Sequence, residues 1–257
     1  MLALQLMGGF VNSVSMNCKQ WRGCISAQGK ADAICTSCVT AKACAFCQAP
    51  LTQALNTPVQ TRSLQAGCYL YRQGDTSRGH FHVRSGMFKT LVTNAQGHDF
   101  VSAFVLPSEV LGGVLDGHCQ LESAVALETS VVCEFVVEQM SAQCRSDYSQ
   151  TLIAQLSTQA SRALAHRVML NQSPVQARFA AFCVLYAKNL TRLGRQEAFL
   201  PMPMSRTDLA NYLGMTLESL SRVVNQLHRA EVIKAALDRI EIVDAETLHG
   251  LAGRALL

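Results

Sequence analysis

No uninterrupted apolar run in the sequence comes near the ~18 residues that a membrane-crossing helix requires, which excludes a helical membrane protein. No secretory leader is expected either: the opening MLALQLMGGFVNSVSMNC has no basic start, and its apolar stretch is short and broken by glycine. Charged residues are sparse, 16% against 49% hydrophobic. A chain of 257 residues with that balance can bury a sizeable core, so disorder is excluded for most of it, and one or two domains are expected. Neither sign of charge dominates. Residues 1–51 carry four bases and one acid, 52–144 five and eight, 145–172 three and one, and 173–257 ten and eight. An acidic middle with basic flanks is compatible with nucleic acid at the C-terminal end and identifies nothing further. Signatures of catalysis are absent as well. The seven histidines form no motif with any cysteine, and no phosphate loop or metallo-hydrolase pattern occurs, so a cysteine-nucleophile enzyme is the weakest reading and no enzyme is expected.

What the chain has in excess is cysteine. Eleven in 257 residues fall below the density of a disulfide scaffold. Their number is odd and no leader precedes them, so a reducing, cytoplasmic setting is expected, with thiols as ligands or core residues. Six crowd into thirty residues: Cys18, Cys24, Cys35, Cys38, Cys44 and Cys47. Cys68, Cys119, Cys133, Cys144 and Cys183 are scattered through apolar stretches. By spacing alone Cys35, Cys38, Cys44 and Cys47 form C-x2-C-x5-C-x2-C, a compact four-thiolate set that suits an iron–sulfur cluster or, with a short middle spacer, zinc.

Residues 52–67 read as polar and turn-forming. From Cys68 to about Val137, short β-branched and aromatic runs recur at roughly ten-residue intervals between glycine turns, the pattern of a barrel or jelly roll. The period then changes. From Ser149 to Asn171 there is neither Gly nor Pro, and Leu152, Ile153, Leu156, Ala160, Ala163, Leu164, Arg167 and Val168 recur at helical spacing, until Pro174 ends the run. This helix reads equally as a core strut or a dimer seam. A second helix carries Phe179, Phe182, Cys183 and Tyr186 on its apolar face.

Residues 204–230 predict two short helices about Gly214. Ser205 or Thr207 caps the first and Thr216 the second, and Leu220, Val223, Val224 and Leu227 form the buried side. This is helix-turn-helix geometry, with Glu218, Ser219, Ser221 and Arg222 outward near the start of the reading helix and chemistries that suit base edges. The bland alternative is a helical hairpin with a solvated Glu218–Arg222 pair. A following wing with one strand at 239–243 favours the DNA reading.

With these residues in view the chain resembles the FNR branch of the cyclic-AMP-receptor (Crp) superfamily of bacterial transcription regulators. The resemblance runs from Cys35 to the C-terminus and rests on YRQGD (71–75), VRSGMFK (83–89), the turn at Gly97, ALETSVVCEF (126–135) and LANYLGMTLESLSR (209–222). It implies an α+β chain: a cysteine-rich segment at 1–50, a β-roll sensory domain at 51–145, a dimerisation helix at 146–172 and a winged helix-turn-helix at 173–257. It implies homodimers on two-fold symmetric DNA in contact with RNA polymerase, through the turn near Gly97 and the loop at 191–199. The family pattern E-x-x-S-R reads a TTGAT half-site and maps to Glu218, Ser221 and Arg222.

The resemblance further implies an oxygen-labile [4Fe–4S] cluster on Cys35, Cys38, Cys44 and, from the β-roll, Cys133. On spacing, Cys47 remains the rival fourth ligand. Cys68, Cys119, Cys144 and Cys183 are expected to be buried small hydrophobes. Cyclic nucleotide is not expected: SEVLGGVLDGH keeps Glu109 and Gly112, but no Arg lies between Glu109 and Cys133 to meet a phosphate. Where the family can carry an acid that opposes dimer formation this chain has Ala163, so its association is expected to depend less strictly on the cluster. The alternative keeps the DNA binding and changes the signal to nitric oxide, haem or zinc.

Overall fold

The structure, a computed structural model, describes residues 25–29 and 60–253 apart from 78, 113–118, 137–139, 141, 172–173 and 195–197. Among the described residues nine strands precede the first helix: β1 (Ile25–Gly29), β2 (Gln60–Leu64), β3 (Tyr69–Tyr71), β4 (His80–Ser85), β5 (Phe88–Thr93), β6 (Asp99–Val105), β7 (Val110–Leu111), β8 (Ser123–Ala126) and β9 (Ser130–Phe135). They form two antiparallel sheets, ordered β1-β2-β9-β4-β7 and β3-β8-β5-β6. Alternation sends Leu64, Val83, Phe88, Val105, Leu111 and Val132 into one apolar interior between the sheets. This is the expected β-roll.

β2 lies where a polar, turn-forming segment was expected. The reason is Arg62, which pairs across the sheet with Val132 and so takes an inward position that would ordinarily be apolar. Its guanidinium is 2.6 Å from the carboxylate of Glu134 and lies over the ring of Phe81. An ion pair and a cation–π contact replace the hydrophobic residue that would have announced the strand.

The helical half is α1 (Ala142–Leu170), α2 (Val175–Arg192), α3 (Arg206–Tyr212), α4 (Leu217–Arg229) and α5 (Ala245–Ala252). A small sheet ordered β10-β12-β11 completes it, from β10 (Leu200–Pro201), β11 (Ile233–Ala235) and β12 (Arg239–Ile242). The wing therefore has three strands rather than a simple hairpin. α1 begins at Ala142, four residues before the expected start of the dimerisation helix, and Pro174 serves as the N-cap of α2. Leu209, Leu213, Leu220, Leu227, Ile233 and Ile240 are fully buried together, each worth about 1.5–3 kcal/mol on leaving water. Met87 and Leu106 of the roll join this core, so the two halves share apolar packing.

Gly86, in the VRSGMFK turn, has φ +81°, and a Cβ there would lie 2.1 Å from Ser130 Oγ and 2.7 Å from Ser130 Cα. Gly86→Ala is expected to destabilise the roll by roughly 2 kcal/mol or more, combining a left-handed backbone with a backbone clash. A thermal melt monitored by circular dichroism that leaves the midpoint unchanged contradicts this.

Candidate functional site

The helix-turn-helix is built as its residues dictate. Ser205 Oγ accepts from Asp208 N to cap α3, and Thr216 Oγ1 accepts from Ser219 N to cap α4. Gly214 sits between them at φ +60°. Arg178 of α2 donates through Nη1 to the carbonyls of Leu213 and Gly214, at 2.9 and 2.8 Å, and so fixes the turn. Leu220, Val223, Val224 and Leu227 face inward. Glu218, Ser221 and Arg222 are exposed on one side of α4.

Arg222 donates to Glu218 at 2.6 Å across one helical turn, so the solvated pair of the bland reading does form. Such an exposed pair contributes little to stability, which leaves both side chains available to a partner. Ser219 is not outward as expected. Its backbone and hydroxyl are engaged by the Thr216 cap, and it is half-buried. Asn225 lies exposed one turn beyond Ser221 on the same side; i,i+4 spacing from Ser221 could have found it.

A second feature lies on the outer face of the five-stranded sheet. One register row crosses it: Gly29 pairs with Thr61, Thr61 with Cys133, Cys133 with His82, and His82 with Val110. Residues directly opposite in antiparallel strands project to the same face. Cys133 and His82 are therefore side-by-side neighbours on the outside of the roll, and Cys133 is half-buried. His82 is 2% exposed. Phe135 meets its ring edge-on at 4.6 Å, and Nε2 lies 3.3 Å from the hydroxyl of Tyr148 on α1. Burial, reinforced by neighbouring His80, pushes the His82 pKa well down and keeps the ring neutral.

Cys35, Cys38, Cys44 and Cys47, with Cys18 and Cys24, lie outside the described residues. Among the described residues no three His, Cys, Asp or Glu side chains converge as a metal site. Of the four cysteines expected in the core, Cys68 and Cys183 are buried, and burial raises the Cys183 thiol to about 12. Cys119 is exposed, contrary to expectation, because it sits on an isolated bridge to Thr76 rather than in a strand. The side chain of Cys144 lies outside the described set.

The loop at Glu109 differs from the sequence reading in one respect. No arginine occurs nearby in sequence, yet two arrive from helices. The buried Glu109 carboxylate takes Arg162 of α1 directly and has Arg192 of α2 at 3.6 Å. Leu106 N also donates to it.

Comparison with known proteins bears on both halves. Residues 61–147 match the model of the cyclic nucleotide-binding domain, and residues 178–251 that of the Crp-like helix-turn-helix domain. The chain is 31% identical to the transcriptional activator FnrA of Stutzerimonas stutzeri, covering 76% of this chain and 81% of that protein. It is 30% identical to the fumarate and nitrate reduction regulatory protein of Vibrio cholerae, covering 75% and 78%. The chain belongs to the Crp/FNR family, as an FNR-type transcription regulator. FixK2 from Bradyrhizobium japonicum has the same fold, with a TM-score of 0.66 at 23% identity over 77% of this chain and 98% of that one. The protein is thus a DNA-binding regulator and not an enzyme, and among the described residues no helix is long and apolar enough to cross a membrane.

In this FNR-type regulator the reading head is clamped to the roll. Lys89 of β5 donates to Asp208 of α3 at 2.6 Å. Asn211 of α3 acts as a mock strand on the free edge of β6: its Oδ1 accepts from Val101 N at 2.8 Å and its Nδ2 donates to Asp99 O at 2.9 Å. Tyr212 stacks flat on His166 of α1 with centroids 4.0 Å apart, and His166 Nε2 donates to the Tyr212 carbonyl. Replacing Asn211 by Ala strips two edge hydrogen bonds and is expected to cost about 1–2 kcal/mol in urea unfolding. Unchanged unfolding would show that the clamp is incidental.

Proposed function

We propose that this regulator controls anaerobic gene expression in the cytoplasm, binding TTGAT-type palindromes as a homodimer while a [4Fe–4S] cluster is held on Cys35, Cys38, Cys44 and Cys133. The observation that carries the reading is the register row. Gly29 shares it with Cys133 two strands away, and Cys35 follows Gly29 by six residues, a span of up to ~20 Å when extended. Cys133, the proposed donor that lies among the described residues, is half-buried and faces outward from the sheet whose edge strand, β1, precedes the other three in sequence. When bound, the cluster supplies an oxygen-labile cross-link between their segment and β9.

The chain's own residues support the rest. α1 turns Tyr148, Leu152, Gln159, Arg162, His166 and Met169 toward its own protomer. Its other side leaves Ile153 and Leu164 exposed at 65% and 61%, in line with Ala160 and Val168. A second copy of the same helix covers such a stripe, and Ala163 beside it brings no charge to oppose contact. Two copies set their α4 helices about one DNA turn apart. Glu218, Ser221 and Arg222 then read the half-sites, and RNA polymerase is the onward partner. Cyclic nucleotide has no place in this reading, because both arginines near Glu109 are already engaged by its carboxylate.

The absorption spectrum of anaerobically purified protein, before and after air, tests the cluster. Visible absorbance that bleaches in air is expected; its absence, with haem or zinc found instead, moves the signal elsewhere. Cys133→Ser is expected to abolish that absorbance, whereas a full cluster in this variant makes Cys47 the fourth ligand. Arg222→Ala is expected to weaken binding to a TTGAT–N4–ATCAA duplex by about 1–3 kcal/mol while leaving stability within about 0.5 kcal/mol. Equal affinity for the duplex in a gel shift removes Arg222 from the reading set.

A further inference from the structure

The outer side of α4 presents more than the three residues of the E-x-x-S-R pattern. At about 100° per residue, Glu218, Ser221 and Arg222 fan over roughly 100° of the helix. Asn225 falls inside that fan, roughly 20° from Glu218, and is exposed. The buried residues Leu220, Val223, Val224 and Leu227 centre on the opposite side. Gln226, also exposed, lies about 80° from Glu218, at the edge of the face.

The backbone at Asn225 is well anchored. Val223 and Val224 before it and Leu227 after it are buried. Three residues further on, His228 Nδ1 accepts from Ala235 N of the wing at 3.4 Å. The side chain itself is uncommitted. Asn171 returns its amide to the carbonyl of Arg167, and Asn211 clasps β6. Among the described residues the Asn225 amide has no such partner.

A carboxamide carries a donor and an acceptor side by side. That pair matches N7 and N6 of adenine in the major groove, whereas a phosphate uses the donor alone. Arg222 and Arg229, about one turn to either side and both exposed, already supply the cations that phosphates attract. Along the helix Asn225 stands about 6 Å beyond Ser221 and about 10 Å beyond Glu218, or roughly two and three base steps. Serine is the shorter side chain. A helix close enough for the Ser221 hydroxyl to meet a base therefore brings the Asn225 amide within reach of one too.

We infer that Asn225 is a further specificity residue, which reads an adenine within two base pairs of the end of each TTGAT half-site by paired hydrogen bonds to N6 and N7. This rests on the DNA reading proposed above and deepens it: the recognised half-site is longer than five base pairs.

The test is a gel shift of the full-length, anaerobically purified regulator on TTGAT–N4–ATCAA duplexes. The two positions on each side of the half-site carry each of the four base pairs in turn, changed symmetrically in both halves, at one salt concentration. Wild type is expected to favour adenine at one of these positions by about tenfold over the other bases. Asn225→Ala is expected to bind the four duplexes of that position within about twofold of one another, with discrimination inside TTGAT and the thermal midpoint unchanged. Asn225→Arg is expected to move the preference at the same position to guanine. Wild type and Asn225→Ala ranking the four bases alike overturns the inference. So does an equal loss by Asn225→Ala across the whole panel, which makes the residue a phosphate contact. Wild type that does not distinguish TTGAT from a scrambled duplex removes the DNA-site reading and this inference together. Recognition of TTGAT with no preference beyond it removes only the inference.

Discussion

Burying β4 on both faces obliges the chain to lay something over His80 and His82, and that obligation sets where α1 begins. The inner face of the strand, Phe81 and Val83, fills the roll as any strand of a sandwich would. The outer face carries imidazoles that cannot be left against bare apolar surface without a polar partner. Tyr148 answers both needs at once, its ring packing on Phe135 and its hydroxyl meeting His82. Once Tyr148 is fixed, helical spacing brings Leu152, Gln159, Arg162, His166 and Met169 to the same side. Ile153, Ala160 and Leu164 are then turned outward by default.

The same helix therefore has two jobs with two faces, and this explains why its apolar residues give no single stripe. One face is spent on its own protomer, ending in His166 stacked on Tyr212 of the reading head. The other is left for a second copy. Lys89–Asp208, the Asn211 clasp and the shared packing of Met87 and Leu106 tie the roll directly to the helical half.

How much of this was legible in the sequence depended on whether the signal was local. Glycine turns with β-branched runs announced β3 to β6, β8 and β9, and the caps and Gly214 announced α3 and α4 to within a residue or two. β2 was illegible because a charged pair, Arg62 with Glu134, took the place of an apolar residue. Cys119 was misjudged because an apolar neighbourhood in sequence does not fix burial in space. The loop at Glu109 seemed short of positive charge only because Arg162 and Arg192 come from 53 and 83 residues further along the chain.

Local chemistry alone determined the reading head: cap, turn and apolar spacing are written within 27 consecutive residues, since helix periodicity and left-handed turns are properties of neighbours in sequence. For the fourth cysteine ligand, spacing alone favoured Cys47, and Cys133 came only from the family resemblance around residues 126–135. Only the tertiary structure decided that Cys133 shares a sheet row with Gly29 and His82, that Tyr148 closes over that row, and that Asn211 completes the edge of β6. Strand register and helix docking join residues tens of positions apart. They are settled by which buried polar groups find partners when the chain closes, not by any pattern along it.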